Sequence, residues 1–113
     1  MHELGIMEEI VRAINREIEA HHARKLLGVT LRIGEMNGVV PDSMRFCFEV
    51  LSKGTSLEGA ELRIVSVPLV ARCEDCQHEF QVKDFQFLCP LCGSQNHTIR
   101  SGKELSIEEM EVE

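Results

Sequence analysis

The 113-residue sequence predicts an α+β fold: a two-layer domain of three strands and two helices, with a four-cysteine module inserted before the last strand. Three observations lead there. Apolar residues recur at helical spacing around Ile10 and again around Phe48. They alternate with polar residues in three other stretches. Four of the five cysteines form two CxxC pairs between the second and third of those stretches. The chain is 43% hydrophobic, enough for a small core, and with no Trp or Tyr and five Phe the filling must be aliphatic.

Residues 4 to 22 read as an amphipathic helix with Met7, Ile10, Val11, Ile14 and Ile18 on one stripe. Glu8 and Glu9 in the early turns and His21, His22, Arg24 and Lys25 at the end complement the helix dipole. Gly28 closes the link to a half-buried strand, Val29 to Gly34, where Val29, Leu31 and Ile33 alternate with Thr30 and Arg32. Glu35 to Val40 reads as a loop with Asn37-Gly38 as its turn. Pro41 suits the first turn of a second helix, whose stripe is Met44, Cys47, Phe48 and Leu51 and which Gly54 ends. Glu61 to Val67 alternates as the second strand, with Pro68 just after it. Ser101-Gly102 marks a return. The third strand is Glu104 to Val112, with Leu105 and Ile107 on one face and Met110 and Val112 on the other. That change of face implies a β-bulge near Glu108 or Glu109. The outer domain therefore covers residues 1–70 completed by 101–113, and the module covers 71–100.

Charge narrows the partners. A formal net charge of −7 argues against general nucleic-acid binding, which needs a basic footprint, and against anionic membrane surfaces. It suits cationic metals or a basic protein, and equally plain solubility. MHELGIMEEI has neither the basic nor the apolar region of a secretory signal, and no stretch approaches the roughly 20 apolar residues of a membrane span. The expected location is the cytoplasm, where paired CxxC motifs read as metal binding before disulfides.

Cys73-Glu-Asp-Cys76 and Cys89-Pro-Leu-Cys92 are separated by twelve residues. Two thiolates two residues apart on a tight turn reach one ion, and two such turns complete a tetrahedral four-sulfur shell suited to Zn(II). Gly93 permits the backbone twist after the second pair. The gap has room for a short hairpin carrying Phe80, Val82 and Phe87 over the metal. A zinc-ribbon-like module of this kind has few apolar residues and depends on its ion, which is structural: four protein ligands leave no position for substrate. A thiol redox centre, the rival reading, uses a single CxxC at a strand-to-helix junction. His78 and His97 lie near the cysteines as solvated or supporting residues, and Cys47 on the second helix reads as a buried thiol acting as a small apolar group.

The first three residues hold a second donor set. A free amine on Met1, the amide nitrogen of His2 and its imidazole can wrap one metal, with the amide nitrogen or the carboxylate of Glu3 as fourth donor. A nitrogen-rich square-planar set suits Ni(II) or Cu(II) and suits zinc poorly. Retention of Met1 is expected because His2 is a large neighbour.

MHELGI at the start, LRIGEMNGVVPDSMRFCFEVL, EGAELRI, CEDC…CPLCG and a final SGKEL…MEVE together resemble the HypA/HybF family along essentially the whole chain. The resemblance implies a nickel metallochaperone, not an enzyme. It would carry Ni(II) as transient cargo toward the [NiFe]-hydrogenase large subunit with a HypB-like GTPase, and in some members would serve urease with its accessory proteins. It implies nickel binding by Met1, His2 and Glu3 and zinc binding by Cys73, Cys76, Cys89 and Cys92. It also implies a nickel domain plus zinc domain layout. The alternative function is a zinc-ribbon protein-interaction module without nickel transfer. A nucleic-acid ribbon is disfavoured because residues 73–100 carry Lys83 and Arg100 against Glu74, Asp75, Glu79 and Asp84.

Overall fold

A computed structural model describes residues 2–113. The elements are α1 (His2–Ala20), β1 (Leu26–Gly34), a 3-10 turn (Glu35–Asn37), α2 (Pro41–Ser52), β2 (Glu61–Val67), β3 (Val70–Cys73), β4 (Glu79–Gln81), β5 (His97–Ser101) and β6 (Leu105–Val112). They build two three-stranded sheets, ordered β2-β1-β6 and β4-β3-β5. This is the expected α+β class. The chain divides into two compact units. The first holds Met1–Arg32, Val39–Val65 and Ser106–Glu113, and the second holds Ile33–Gly38 and Ser66–Leu105. Among the described residues, no helix is long and apolar enough to cross a membrane.

In the first unit α1 packs on α2. Met7, Ile10, Ile14 and Ile18, spaced three and four apart, are the buried residues of α1, with Val11 half-buried beside them. The helix stops at Ala20, so His21, His22, Arg24 and Lys25 follow it rather than fill its last turn. Pro41 occupies the start of α2, and Val40 before it is extended at φ −97° and ψ 117°. The pyrrolidine ring of a following proline pushes a residue out of the helical region, which sets the helix boundary there. Met44, Cys47 and Phe48 are buried on α2 and Leu51 is half-buried.

Gly28 is not a linker. It lies inside β1, the central strand, and is itself buried. A Cβ there would meet Glu111 Oε1 at 2.4 Å and the Arg63 guanidinium at 3.0 Å. Arg63 of β2 donates to Thr30 Oγ1 of β1 at 2.9 Å and pairs with Glu111 of β6 at 2.6 Å. The glycine leaves the space through which this pair spans the middle strand. As the middle strand, β1 is covered more fully than an alternating half-buried strand would be: Val29, Thr30 and Leu31 are all buried in succession. On β6, an edge strand, Ile107 and Met110 are half-buried, whereas Leu105 and Val112 are exposed.

In the second unit β3 pairs antiparallel with β4 (Ala71 opposite Phe80) and with β5 (Arg72 opposite Thr98), with a register shift between Val70 and Ala71. Leu69, Ala71, Cys73, Phe80, Val82 and Cys89 are buried together, and Phe87 and Ile99 pack against them.

Candidate metal centres

The two CxxC turns have the same backbone construction. Four residues after the first cysteine of each pair, a backbone N–H returns to that cysteine's carbonyl: Gln77 to Cys73 at 2.9 Å and Gly93 to Cys89 at 2.8 Å. Each first cysteine also donates its own N–H five residues ahead, Cys73 to His78 at 2.8 Å and Cys89 to Ser94 at 2.9 Å. Both turns need a left-handed residue at the fourth position. Gly93 supplies it at φ 74°, as expected, and Gln77 supplies it at φ 68°. A non-glycine residue pays roughly 1–2 kcal/mol for that conformation. Gln77 anchors its side chain on the Glu74 carbonyl at 3.1 Å and accepts from Arg72. No glycine marks this position, so the sequence carries no signal for it.

Side chains tie the turns to one another and to β5. Ser94 donates to Asp75, and Thr98 donates to Glu74. The Glu74 N–H also donates to the Asn96 carbonyl at 2.9 Å. Asp75 and Glu74 are the two residues inside the first CxxC pair, so those intervening positions brace the site.

The four sulfurs converge. One ligand atom from each of Cys73, Cys76, Cys89 and Cys92 lies within 4.8 Å of all the others. Cys73 and Cys92 sulfurs are 3.5 Å apart, as are those of Cys76 and Cys89. Metal–sulfur bonds of about 2.3 Å in a tetrahedron give sulfur–sulfur edges of about 3.8 Å, so this set fits a tetrahedral thiolate-bound ion. Cys73 and Cys89 are buried, while Cys76 and Cys92 are exposed.

The thiols divide in acidity. Burial pushes Cys89 up, but N–H groups of Cys92 and Leu91 and the neighbouring thiols outweigh it and hold Cys89 at about 7. At Cys92 the Ser94 N–H pulls downward, yet the Cys73 thiol, burial and the other two thiols push it up to about 12. Cys76 is raised in the same way: the His78 N–H lowers it, and the Cys89 thiol, burial and Cys73 prevail. The cluster thus favours one thiolate and resists accumulating four, as expected of a site whose charge a dication neutralises.

His78 and His97 stand outside this set. His97 stacks on Phe87 with ring centroids 4.5 Å apart, and its Nδ1 lies 2.8 Å from the Gln95 carbonyl. His78 lies parallel to Phe80 at 6.4 Å. Cys47 is buried on α2.

Of the three residues proposed from sequence as a second metal site, Met1 lies outside the described residues. His2 begins α1 and is exposed. Glu3 is half-buried in the first turn and accepts from the Val40 N–H through Oε2 at 3.0 Å. That contact, largest of several, holds the Glu3 carboxyl below the usual carboxylate range. Sequence reading had no access to it, because the partners are 37 positions apart.

A small α+β protein with four cysteines placed to hold one metal ion is the class this fold and site define. The family model for HypA, "hydrogenase/urease nickel incorporation, metallochaperone", matches residues 1–112. The chain belongs to that family. It is 42% identical over 112 residues to the hydrogenase maturation factor HypA of Picosynechococcus sp., covering 99% of each chain. It is 42% identical over 113 residues to that of Geobacter metallireducens, covering 100% of each. In fold it matches the solution structure of the Ni metallochaperone HypA from Helicobacter pylori, with a TM-score of 0.68, 24% identity, and coverage of 99% of this chain and 97% of that one.

Proposed function

We propose that this chain binds Ni(II) through the amine of Met1, the His2 backbone and imidazole nitrogens, and Glu3. It delivers the ion, with a HypB-like GTPase, to the [NiFe]-hydrogenase large subunit. Zn(II) sits in the Cys73, Cys76, Cys89 and Cys92 site as a structural ion. In this reading the first compact unit is the nickel domain and the second, which carries the four cysteines, is the zinc domain. The observation that carries it is the convergence of four cysteine sulfurs in a chain of a nickel-incorporation family. Such a site is coordinatively complete, so a cargo ion must use other donors. Within the first unit, the His2 imidazole and backbone beside Met1 and Glu3 are the nitrogen-rich set suited to Ni(II). The chain acts by binding and release, with no chemical turnover of its own.

Metal analysis and Ni(II) titration of the chain with an unmodified Met1 test this. One zinc and one additional nickel per chain, with the nickel lost in His2→Ala and the zinc retained, is the expected result. Zinc without nickel would leave an interaction module. Nickel lost only with the cysteines would move the cargo to the thiolate site.

A further inference from the structure

The second half of α2, the turn after it and the start of β2 enclose a cavity of about 490 Å³ that lies wholly within the first unit. Cavities of this size hold small organic ligands. Its apolar wall is Phe48 and Leu62, both buried, with Ala60 half-buried beside them. Ser52 completes that wall. It is 2% exposed, and its hydroxyl has no hydrogen-bond partner among the described residues. A buried hydroxyl left without a partner destabilises the folded chain, and an occupant that hydrogen-bonds to it removes the penalty. The turn on the far side is already ordered. Gly54 N–H donates to Glu58 Oε1 at 3.0 Å, Thr55 N–H and Oγ1 both donate to the Ser52 carbonyl, at 3.0 and 2.6 Å, and Leu57 is fully buried. A ligand therefore meets a preformed wall.

Three charges line the mouth. Arg45, Glu49 and Lys53 are exposed and four residues apart, so they share one side of α2. Opposite charges at that spacing ordinarily pair. Here none of the three forms an ion pair among the described residues. Arg45 commits one donor, Nη1, to the Leu62 carbonyl at 2.5 Å; this fixes the guanidinium beside the cavity and leaves its other N–H groups for a ligand. Glu58 is engaged by Gly54, so Glu49 is the uncommitted carboxylate of the lining. Two cations, Arg45 and Lys53, against two carboxylates, Glu49 and Glu58, give the lining no net formal charge. That disfavours a polyanion such as phosphate and suits a ligand with one charge of each sign.

We propose that this cavity binds a small zwitterion with an apolar body, a free α-amino acid such as leucine. Its carboxylate lies on the Arg45 guanidinium, its ammonium on Glu49 and the Ser52 hydroxyl oxygen, and its side chain on Phe48 and Leu62. The orientation follows from α2. Ser52 is the last residue of that helix, and the negative end of the helix dipole favours the ammonium there. Arg45, two turns earlier, is the cation held in place for the carboxylate. The site shares no residue with either metal-binding set and does not depend on nickel.

The test titrates the full zinc-loaded chain with L-leucine while backbone amide shifts are followed by NMR. Isocaproate, which lacks the ammonium, isopentylamine, which lacks the carboxylate, and inorganic phosphate are titrated beside it. L-leucine should move the amides of Phe48, Ser52, Gly59 and Leu62 and leave those of β3 and β5 in place. Isocaproate and isopentylamine should each bind about tenfold more weakly, the low end for a lost hydrogen bond between charged groups, and phosphate should move none of these amides. Glu49→Gln should lower L-leucine affinity about tenfold and leave isocaproate affinity unchanged. Arg45→Gln should lower both and leave isopentylamine affinity unchanged. Ser52→Ala should weaken L-leucine binding about fivefold, while the ligand-free chain loses no stability in urea, because the hydroxyl has no partner there. Zinc content and circular dichroism check that each variant folds. If Arg45→Gln fails to fold because the Leu62 carbonyl loses its donor, Glu49→Gln decides, since the Glu49 side chain makes no hydrogen bond or ion pair among the described residues. L-leucine that moves none of the lining amides would overturn the proposal. So would analogues that bind as tightly as L-leucine, or unchanged L-leucine affinity in Glu49→Gln or Ser52→Ala.

Discussion

Gly34→Ala tests whether Ile33–Gly38 belongs to the unit that carries the four cysteines. Gly34 has φ −73° and ψ 145°, which any residue adopts, so the substitution adds no backbone strain of its own and probes space alone. A Cβ at this position would lie 2.0 Å from the Gly102 carbonyl oxygen and 2.7 Å from the Lys103 nitrogen. Both are backbone atoms, and no side-chain rotation can move them. Reaching ordinary contact requires the two segments to separate by more than about 1 Å. The bonds that join them cannot stretch so far. Gly34 N–H donates to Glu104 at 2.7 Å, Met36 N–H to Gly102 at 2.9 Å, and Asn37 Nδ2 to Glu104 at 2.8 Å, while Leu69 N–H donates to Glu35 Oε1 at 2.7 Å. Adding about 1 Å takes any of them beyond hydrogen-bond length. Loss of two at about 1 kcal/mol each, with overpacking of about 1–3 kcal/mol, destabilises the unit by about 3–5 kcal/mol. That is a large share of a small domain's stability. Amide hydrogen exchange in the zinc-loaded protein reads it locally. The opening free energy of β3 and β5 amides should drop by that amount, and that of α1 amides by less than about 1 kcal/mol. A drop below about 1 kcal/mol in β3 and β5, or an equal drop in α1, would refute the reasoning.

Gly5→Ala should do the opposite. Gly5 is inside α1 with nothing within 4 Å of an added Cβ, so the change should stabilise the first unit by about 0.5–1 kcal/mol in urea unfolding, without altering zinc content. Residues added before Met1, or acetylation of its amine, should weaken nickel binding at an intact fold, because the amine becomes an amide without a basic lone pair. Equally tight nickel binding by extended and unextended chains would exclude the amine as a ligand. Zinc affinity, measured by chelator competition, should fall as pH drops from 8 to 6, and more steeply below about 7. Above that pH Cys89 is already a thiolate in the metal-free protein; below it zinc must displace one more proton. A constant slope through that range would show that none of the four thiols titrates near 7.

Much of the architecture was legible because it rests on short-range pattern. The α1 stripe of Met7, Ile10, Ile14 and Ile18 states its own period, and Pro41 marks the start of α2 by its missing N–H and its effect on Val40. The paired cysteines define the sulfur set, because two residues between thiols allow one tight turn and little else. The gap between the pairs left room for Phe80, Val82 and Phe87 beside the cysteines; Phe80 and Val82 are buried with Cys73 and Cys89, and Phe87 packs against them part-buried.

What the tertiary structure decided is of another kind. Gly28 looked like the end of a link, yet it is the gap under the Arg63–Glu111 pair, whose members come from β2 and β6. Leu105 and Val112 carried the pattern of covered positions but are exposed, since the neighbours that cover a strand depend on its place in the sheet. Gln77 adopts a conformation usually left to glycine, held there by its side-chain bonds to Glu74 and Arg72. Glu3 meets Val40, Asn37 meets Glu104, and Gly34 crosses Gly102, each across tens of residues. Periodicity reports how a segment faces its surroundings. It does not report which distant backbone supplies them, because that is settled only when the strands pair and their close approaches are fixed by packing.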